Sequence, residues 1–556
     1  MADSGRVWRF GALAGVTAGA VAIGVAELVA VATGPRSAPL VAVGGVVVDT
    51  VPEPLKQFAI DVFGRYDKVA LLVGTAVLLA AFAAGLGVLA TRRLAPAVAG
   101  VVAFGALGAV AALTRPGADA LDVLPSLTGA ALGAGVLWLC TAGPLEPDPW
   151  PWSPPAPPPA TPATEPATAG SSPAEPAAAE RVRAEPVPAG SARRPGGDET
   201  DPESRRRFLT GTGVLLGAAT VAGLGGRWLA GRRGVSAARS AVALPTPVAP
   251  APPVPAGADL GLRGLAPYVT SNAGFYRIDT ALVVPQVDPG TWRLRVHGRV
   301  RNPFELSFAE LLARPMVERY VTLACVSNEV GGDLVGNARW LGVPVKELLD
   351  EAGPLDGADQ VVSRSVDGWT CGTPTEVLRD GRDALLAVGM NGEPLPVEHG
   401  FPVRMVVPGL YGYVSACKWI TELELTSFAD FDAYWVPRGW SARGPIKTQS
   451  RIDTPRPRNR LTAGPVTVAG VAWAQHLGIR RVEVRVDEGE WQQATLAAAV
   501  STDTWVQWSW RWAATPGEHT LQVRATDASG ATQPERRAPV APDGATGWHT
   551  VRVTVD

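Results

Sequence analysis

Residues 320–345 read YVTLACVSNEVGGDLVGNARWLGVPV. The run opens with β-formers and places Cys325 near the end of a strand, ahead of a Gly-Gly turn. The chain has four cysteines, Cys140, Cys325, Cys371 and Cys417, with no CxxC, no CxxCH and no regular spacing. That excludes a zinc ribbon, a c-type haem attachment and a disulfide framework. A cysteine with a task here must act singly. The ordinary reading of a lone cysteine is a small buried apolar residue, and it is applied to Cys140, Cys371 and Cys417. A Cys371–Cys417 disulfide stays open for an extracytoplasmic domain, since spacing does not decide proximity. Around Cys325, WRLRVHGRV (292–300) alternates as a strand and FPVRMVVPG (401–409) is a strand stopped by Pro-Gly. SFAELLARP (307–315) is a Ser-capped short helix. The result is an α+β mixture over 259–445. No GxGxxG follows a strand, which argues against a nicotinamide-binding domain.

Upstream, the 556-residue chain changes character. Its net charge of -2 offers no basic face for nucleic acid. Residues 1–141 are Ala-, Val-, Leu- and Gly-rich, with apolar runs at about 10–33, 69–90, 95–113 and 121–141. Each is long enough to cross about 30 Å of hydrocarbon as a helix, giving a four-helix transmembrane region. Arg6, Arg9, Arg92 and Arg93 place the N-terminus and the 91–94 turn in the cytoplasm, and the loop 34–68 outside. Glu27 is the one acid well inside a run. Residues 142–204 are Pro/Ala-rich and read as a disordered cytoplasmic linker. Ser204-Arg205-Arg206-Arg207-Phe208-Leu209 then opens a fifth apolar segment, 205–231. It resembles a twin-arginine export signal; the alternative is an ordinary helix with a basic flank. A Pro-rich spacer spans 232–258. None of the five histidines lies in the apolar runs, so no haem is expected there.

The 320–345 stretch resembles the cysteine loop of the sulfite oxidase family of molybdopterin-dependent oxidoreductases. The resemblance implies that Cys325 ligates molybdenum, a role a soft thiolate suits. Arg339 falls in the family's Ala-Arg-Trp signature. MNGEPLPVEHGFPVRMVVPG (390–409) resembles the cofactor-cradling segment, which assigns His399 and Arg404 to the pterin phosphate; SACKWI adds Ser415 and Lys418. FYRID (275–279) sits where relatives carry Arg-x-His. Arg277 matches an arginine near the oxyanion, Tyr276 accompanies it as a cofactor contact, and Asp279 replaces the histidine. Residues 446–556 alternate through Gly, Pro and Asp turns like an immunoglobulin-like sandwich and resemble the family's dimerisation domain. That implies a homodimer.

Hydropathy over the first half and the resemblance over the second together give a three-part, multi-domain chain. An α-helical membrane bundle leads into a molybdopterin domain and then an all-β sandwich. It would sit in the cell membrane with an extracytoplasmic catalytic domain. The reaction would be two-electron oxygen-atom transfer on a small oxyanion or sulfoxide, served by molybdenum-molybdopterin without haem. Electrons would pass to a separate cytochrome or quinone-linked partner. Animal sulfite oxidases place an arginine soon after the cysteine, where this chain has Ser327-Asn328-Glu329-Val330. Where they carry a late tyrosine, AYWVPRGW (433–440) puts Trp440, the third catalytic candidate beside Cys325 and Arg277. These departures weaken the case for sulfite and leave a less charged sulfoxide, or another substrate, open. The alternatives are a sulfoxide reductase on the same scaffold, or a non-catalytic membrane and partner-binding module with a relict fold. Because the cofactor is inserted in the cytoplasm, the domain would have to cross the membrane folded, which favours the twin-arginine reading.

Overall fold

The computed structural model describes residues 4–51, 62, 67–115, 118–146, 202–232 and 234–556. Most of the expected linker, 147–201, lies outside the described residues. The N-terminal helices are α1 (Ser4–Thr33), α2 (Pro39–Thr50), α3 (Asp67–Ala90), α4 (Leu94–Leu113), α5 (Leu124–Thr141) and α6 (Pro202–Arg232). By length and composition, five of them could cross a membrane. The exception, α2, corrects the expectation of a loop over 34–68. Its sequence PLVAVGGVVVDT begins with Pro at the first turn, which needs no N–H there. Its 12 residues extend only about 18 Å, too short to span.

Small residues let these helices approach closely. A Cβ on Gly15 would lie 2.0 Å from the Ala83 carbonyl oxygen, one on Gly129 2.4 Å from that of Ala22, and one on Gly24 2.4 Å from that of Ala219. The pair α1 and α6 runs parallel: Phe10 meets Phe208 edge-on at 5.2 Å, and Glu27 meets Arg227 at 3.6 Å. Glu27, the acid well inside an apolar run, is therefore paired within the chain.

The α+β part is built on two sheets. One has the order β2 (Phe304–Ser307), β1 (Arg293–Gly298), β10 (Ile420–Thr426), β5 (Gln360–Ser365), β6 (Thr370–Pro374). The other runs β3 (Val317–Ala324), β4 (Val335–Pro344), β7 (Leu385–Met390), β8 (Glu393–Pro394), with β9 (Arg404–Val406) also on β7. Alternation buries Leu294 and Val296 of β1 beneath Leu423 and Leu425 of β10 in one core.

The C-terminal part is a sandwich. Its first sheet has the order β11 (Gln449–Thr454), β13 (Gly464–Trp473), β17 (Val506–Ala514), β16 (Thr495–Leu496). The second runs β12 (Arg460–Leu461), β19 (His549–Val555), β18 (Gly517–Asp527), β14 (Ile479–Val486), β15 (Gln492–Gln493). Trp508, Val482, Val523 and Val551 fill the space between the sheets, as in immunoglobulin-like folds.

Candidate active site

Strand β3 delivers Cys325 one residue past its last paired position. The loop after it is closed by its own backbone. Cys325 N–H donates to the Leu334 carbonyl at 2.9 Å, and Leu334 N–H donates to Asn328 Oδ1 at 2.9 Å. Gly331, at φ +84°, makes the turn against His549 of β19; a Cβ there would lie 2.2 Å from the imidazole. From β11, Arg451 Nη1 donates to the Gly332 carbonyl at 2.6 Å.

The Cys325 thiol opens onto a cavity of about 290 Å3. Burial pushes its pKa up, while hydrogen bonds from Ser327 and the Lys418 charge work the other way. Arg404, on β9, is 5% exposed. It lies over the Trp340 ring at 5.0 Å and donates from Nη1 to the His399 carbonyl at 3.1 Å. No carboxylate pairs with it among the described residues. Burial lowers its pKa to about 10. His399 donates from Nε2 to the Asn272 carbonyl at 2.9 Å; burial, then the Arg404 charge, lowers its pKa to about 4. The ring is therefore neutral near pH 7, with Nδ1 left as an acceptor. Lys418 is drawn down to about 8 by burial, against the opposing pull of Asp279, whose carboxylate it meets at 2.8 Å.

The cavity brings together Tyr276, Asp279, Cys325, His399, Arg404, Lys418 and Trp440. Three expected contacts fall elsewhere. Arg277 turns away and pairs with Asp279 at 2.8 Å, so its charge is already met. Arg339 sits on β4 next to Trp340, and alternation sends the two to opposite faces. Trp340 goes to the core and Arg339 to Glu318 at 3.2 Å. Ser415 is fully buried, its hydroxyl donating to the Leu410 and Tyr411 carbonyls, and it supports the backbone rather than facing the cavity. All four cysteines are free thiols, so Cys371 and Cys417 are not bonded.

The sequence reading missed one wall. Trp369, Trp435 and Tyr413 join Trp440 there, with Glu329, Asp367 and Ser365. Trp440 packs on Tyr413 at 5.9 Å and on Trp435 at 6.1 Å. The Ser365 hydroxyl is buried without a hydrogen-bond partner among the described residues. Asp367-Gly368 was legible as a turn, but nothing local tied that turn to Cys325.

Residues 281–435 match the oxidoreductase molybdopterin binding domain family, and residues 449–523 match the bacterial Ig domain family. The mitochondrial sulfite oxidase of Mus musculus is 30% identical over 341 residues, covering 52% of this chain and 62% of that protein. The uncharacterized oxidoreductase YuiH of Bacillus subtilis (strain 168) is 35% identical over 157 residues, covering 28% of this chain and 76% of that protein. The chain belongs to the sulfite oxidase family of molybdopterin oxidoreductases. It is an enzyme of that family, and its cofactor is molybdenum-molybdopterin. It spans about three fifths of the length of the mouse sulfite oxidase. Among solved structures, the sulfane dehydrogenase SoxCD from Paracoccus pantotrophus aligns at 24% identity with a TM-score of 0.46, covering 53% of this chain and 82% of that one.

The donor set fits a sulfite-oxidase-type cofactor. A single thiol faces the same cavity as a buried guanidinium with no carboxylate of its own and a buried, partly compensated ammonium. Soft thiolate suits molybdenum, and buried cations suit a phosphate. A buried guanidinium without a carboxylate partner is costly, and an anionic ligand relieves that cost.

Proposed function

We propose that this chain is a membrane-anchored, outward-facing molybdenum oxidoreductase acting on a small oxyanion or sulfoxide. The observation that carries the reading is Cys325 on the wall of a cavity that Arg404, His399 and Lys418 also line. Bound there, the cofactor supplies two-electron oxygen-atom exchange with water. Cys325 would ligate the metal. Arg404 and Lys418 would hold the pterin phosphate by charge-assisted hydrogen bonds, and neutral His399 would sit beside them as an acceptor. Asp279 fixes the Lys418 ammonium in place. Trp440, with Trp435 and Tyr413, would exclude water from the substrate side.

Sulfoxide reduction is the second reading. Its support is the acidic pair Glu329 and Asp367 on the cavity wall, which disfavours a doubly charged anion such as sulfite.

The domain limits we assign are a membrane region over 1–141, linker 142–204, signal-like helix 205–231, spacer 232–258, catalytic domain 259–445 and sandwich 446–556. Parallel packing of α1 and α6 puts residues 4 and 202 at one end of the bundle. This supports a cytoplasmic N-terminus, an SRRRFL segment on the same side, and an exported catalytic domain. A cytochrome or quinone-linked protein would exchange electrons with it, and 446–556 would mediate a homodimer.

The test is metal analysis of the purified full chain beside Cys325→Ser. About one molybdenum per wild-type chain, lost in the variant, supports the reading. A folded wild type without molybdenum refutes it.

A further inference from the structure

A second cavity, of about 280 Å3, lies among α1 to α5. That is near the low end of ligand pockets, about 300–1,000 Å3, so it fits a ring-sized group rather than a whole lipid. Its walls are nearly all carbon, with Phe82 and Phe104 tilted at 35° and 5.2 Å apart. One group breaks the pattern. Ser126 lines the cavity and is 5% exposed, and its hydroxyl has no hydrogen-bond partner among the described residues. An unpaired buried hydroxyl is destabilising, so this donor calls for an acceptor from a ligand.

Gly108 locates the polar end. A Cβ there would lie 2.7 Å from Ser126 Oγ and 3.8 Å from Pro39 Cβ. The hydroxyl therefore sits beside the start of α2, whose Leu40 and Val43 also line the cavity. The same short segment meets the catalytic domain. Arg36 Nη1 donates to the Val366 carbonyl at 2.6 Å, and a Cβ on Gly44 would lie 3.0 Å from Leu282 Cδ1. Val366 is flanked by Ser365 and Asp367, both on the catalytic cavity's wall. Residues 36–44 thus touch the wall of one cavity and line the other.

We propose that the membrane-helix cavity binds the ring of an isoprenoid quinone, which would serve as the direct electron partner in place of a separate cytochrome or quinone-linked protein. The redox half of the proposal rests on the oxidoreductase reading above; the binding half does not. The Ser126 hydroxyl donates to a ring carbonyl, and Phe82 and Phe104 pack on the ring. The tail leaves past α3 into lipid, where Leu78 is 72% exposed. The electrons balance. Oxidation, X + H2O → XO + 2 H+ + 2 e−, matches quinone reduction, Q + 2 H+ + 2 e− → QH2, and both run in reverse for a reductase. A phospholipid acyl chain could fill the same volume but would leave Ser126 unpaired.

The test uses the full chain in phospholipid nanodiscs, titrated with a short-chain benzoquinone and a short-chain naphthoquinone. Binding is read directly, without turnover. Saturable binding of one quinone per chain is expected. Ser126→Ala should weaken it by up to about tenfold, the worth of one hydrogen bond. Ala80→Trp fills the cavity from the lipid-facing helix and should abolish binding without tightening a helix contact. No saturable binding, binding indifferent to both variants, or equal displacement by a free fatty acid would overturn the proposal. Molybdenum content is measured on the same samples, so failure of the catalytic reading shows separately.

Discussion

Gly331→Ala should destabilise the catalytic body by roughly 2–5 kcal/mol. Two costs add. Gly331 lies at φ +84°, where a side chain meets its own carbonyl at about 1–2 kcal/mol. The new Cβ would also sit 2.2 Å from His549 Cδ2 and 2.3 Å from Nε2, an overpacking cost of about 1–3 kcal/mol. Gly381→Ala is the control. Its φ is +98° with nothing within 4 Å of the Cβ, so it carries only the backbone cost. A double-mutant cycle separates the clash: in a His549→Ala background Gly331→Ala should cost about as much as Gly381→Ala, a coupling of roughly 1–3 kcal/mol. Urea unfolding followed by tryptophan fluorescence reads this directly, because 13 of the 18 tryptophans follow residue 258. Equal costs at Gly331 and Gly381, or a Gly331 cost unchanged without the imidazole, would show that the sandwich does not brace the cysteine loop.

Acid should destabilise the fold over a defined window. Burial lowers His399 and His549 to about 4, so between about pH 6.5 and 4 the unfolded chain binds protons that the folded chain does not. Stability is full above about pH 6.5 and falls toward pH 4 by at most roughly 3 kcal/mol per histidine; His549→Phe should remove one share of the slope, and a flat profile would contradict the neutral rings. Asp279→Asn leaves the buried Lys418 ammonium without its counter-charge, which should cost the cofactor-free protein about 3–5 kcal/mol at pH 7. That cost should shrink above pH 8 as the amine, already near 8, gives up its proton; a pH-independent loss would point to packing alone. Arg205→Lys with Arg206→Lys should block export of the C-terminal half while α1 to α5 still insert, as protease accessibility of intact cells would show; normal export would leave α6 as an ordinary anchor.

Residues whose chemistry is carried by their type and their neighbours were legible in the sequence. Cys325, His399, Arg404 and Lys418 stand in motifs that name the cofactor, and the structure lines one cavity with them. Arg339 shows where a motif misleads. Its signature is real, but the pleat of β4 gives the interior to Trp340, and which face is interior depends on pairing with β3 and β7. Partnerships between distant segments were not legible. Glu27 finds Arg227 on α6, and Asp367 and Trp369 reach the cavity only because the β5–β6 turn points at a loop some 40 residues earlier in the chain. The 34–68 stretch, lying between two runs of spanning length, reads as a loop, and the short α2 within it was not anticipated.

The sandwich was expected to serve packing and association, and its contacts assign it more. Thr322, three residues before Cys325 on β3, is held from both ends: its N–H donates to the Asp503 carbonyl, its carbonyl accepts from Gln475, and its hydroxyl accepts from Trp505 N–H. Trp473 and Trp505 belong to the same buried core as Leu294 and Val343 of the catalytic sheets. Tyr268 ties the two parts again, donating to Thr504 and accepting from the Trp505 indole. The loop after Cys325 contains Gly331-Gly332, which supplies little stiffness of its own. Arg451 and His549 grip that pair from β11 and β19. To serve as the metal ligand proposed above, Cys325 would have to be held within about 0.5 Å, and much of that rigidity would come from the next domain. It follows that the faces of the sandwich carrying Arg451, Gln475, Trp505 and His549 are committed within the chain. Any homodimer through 446–556 must use another face, and a variant that disturbs this grip should show first as lost molybdenum rather than as lost association.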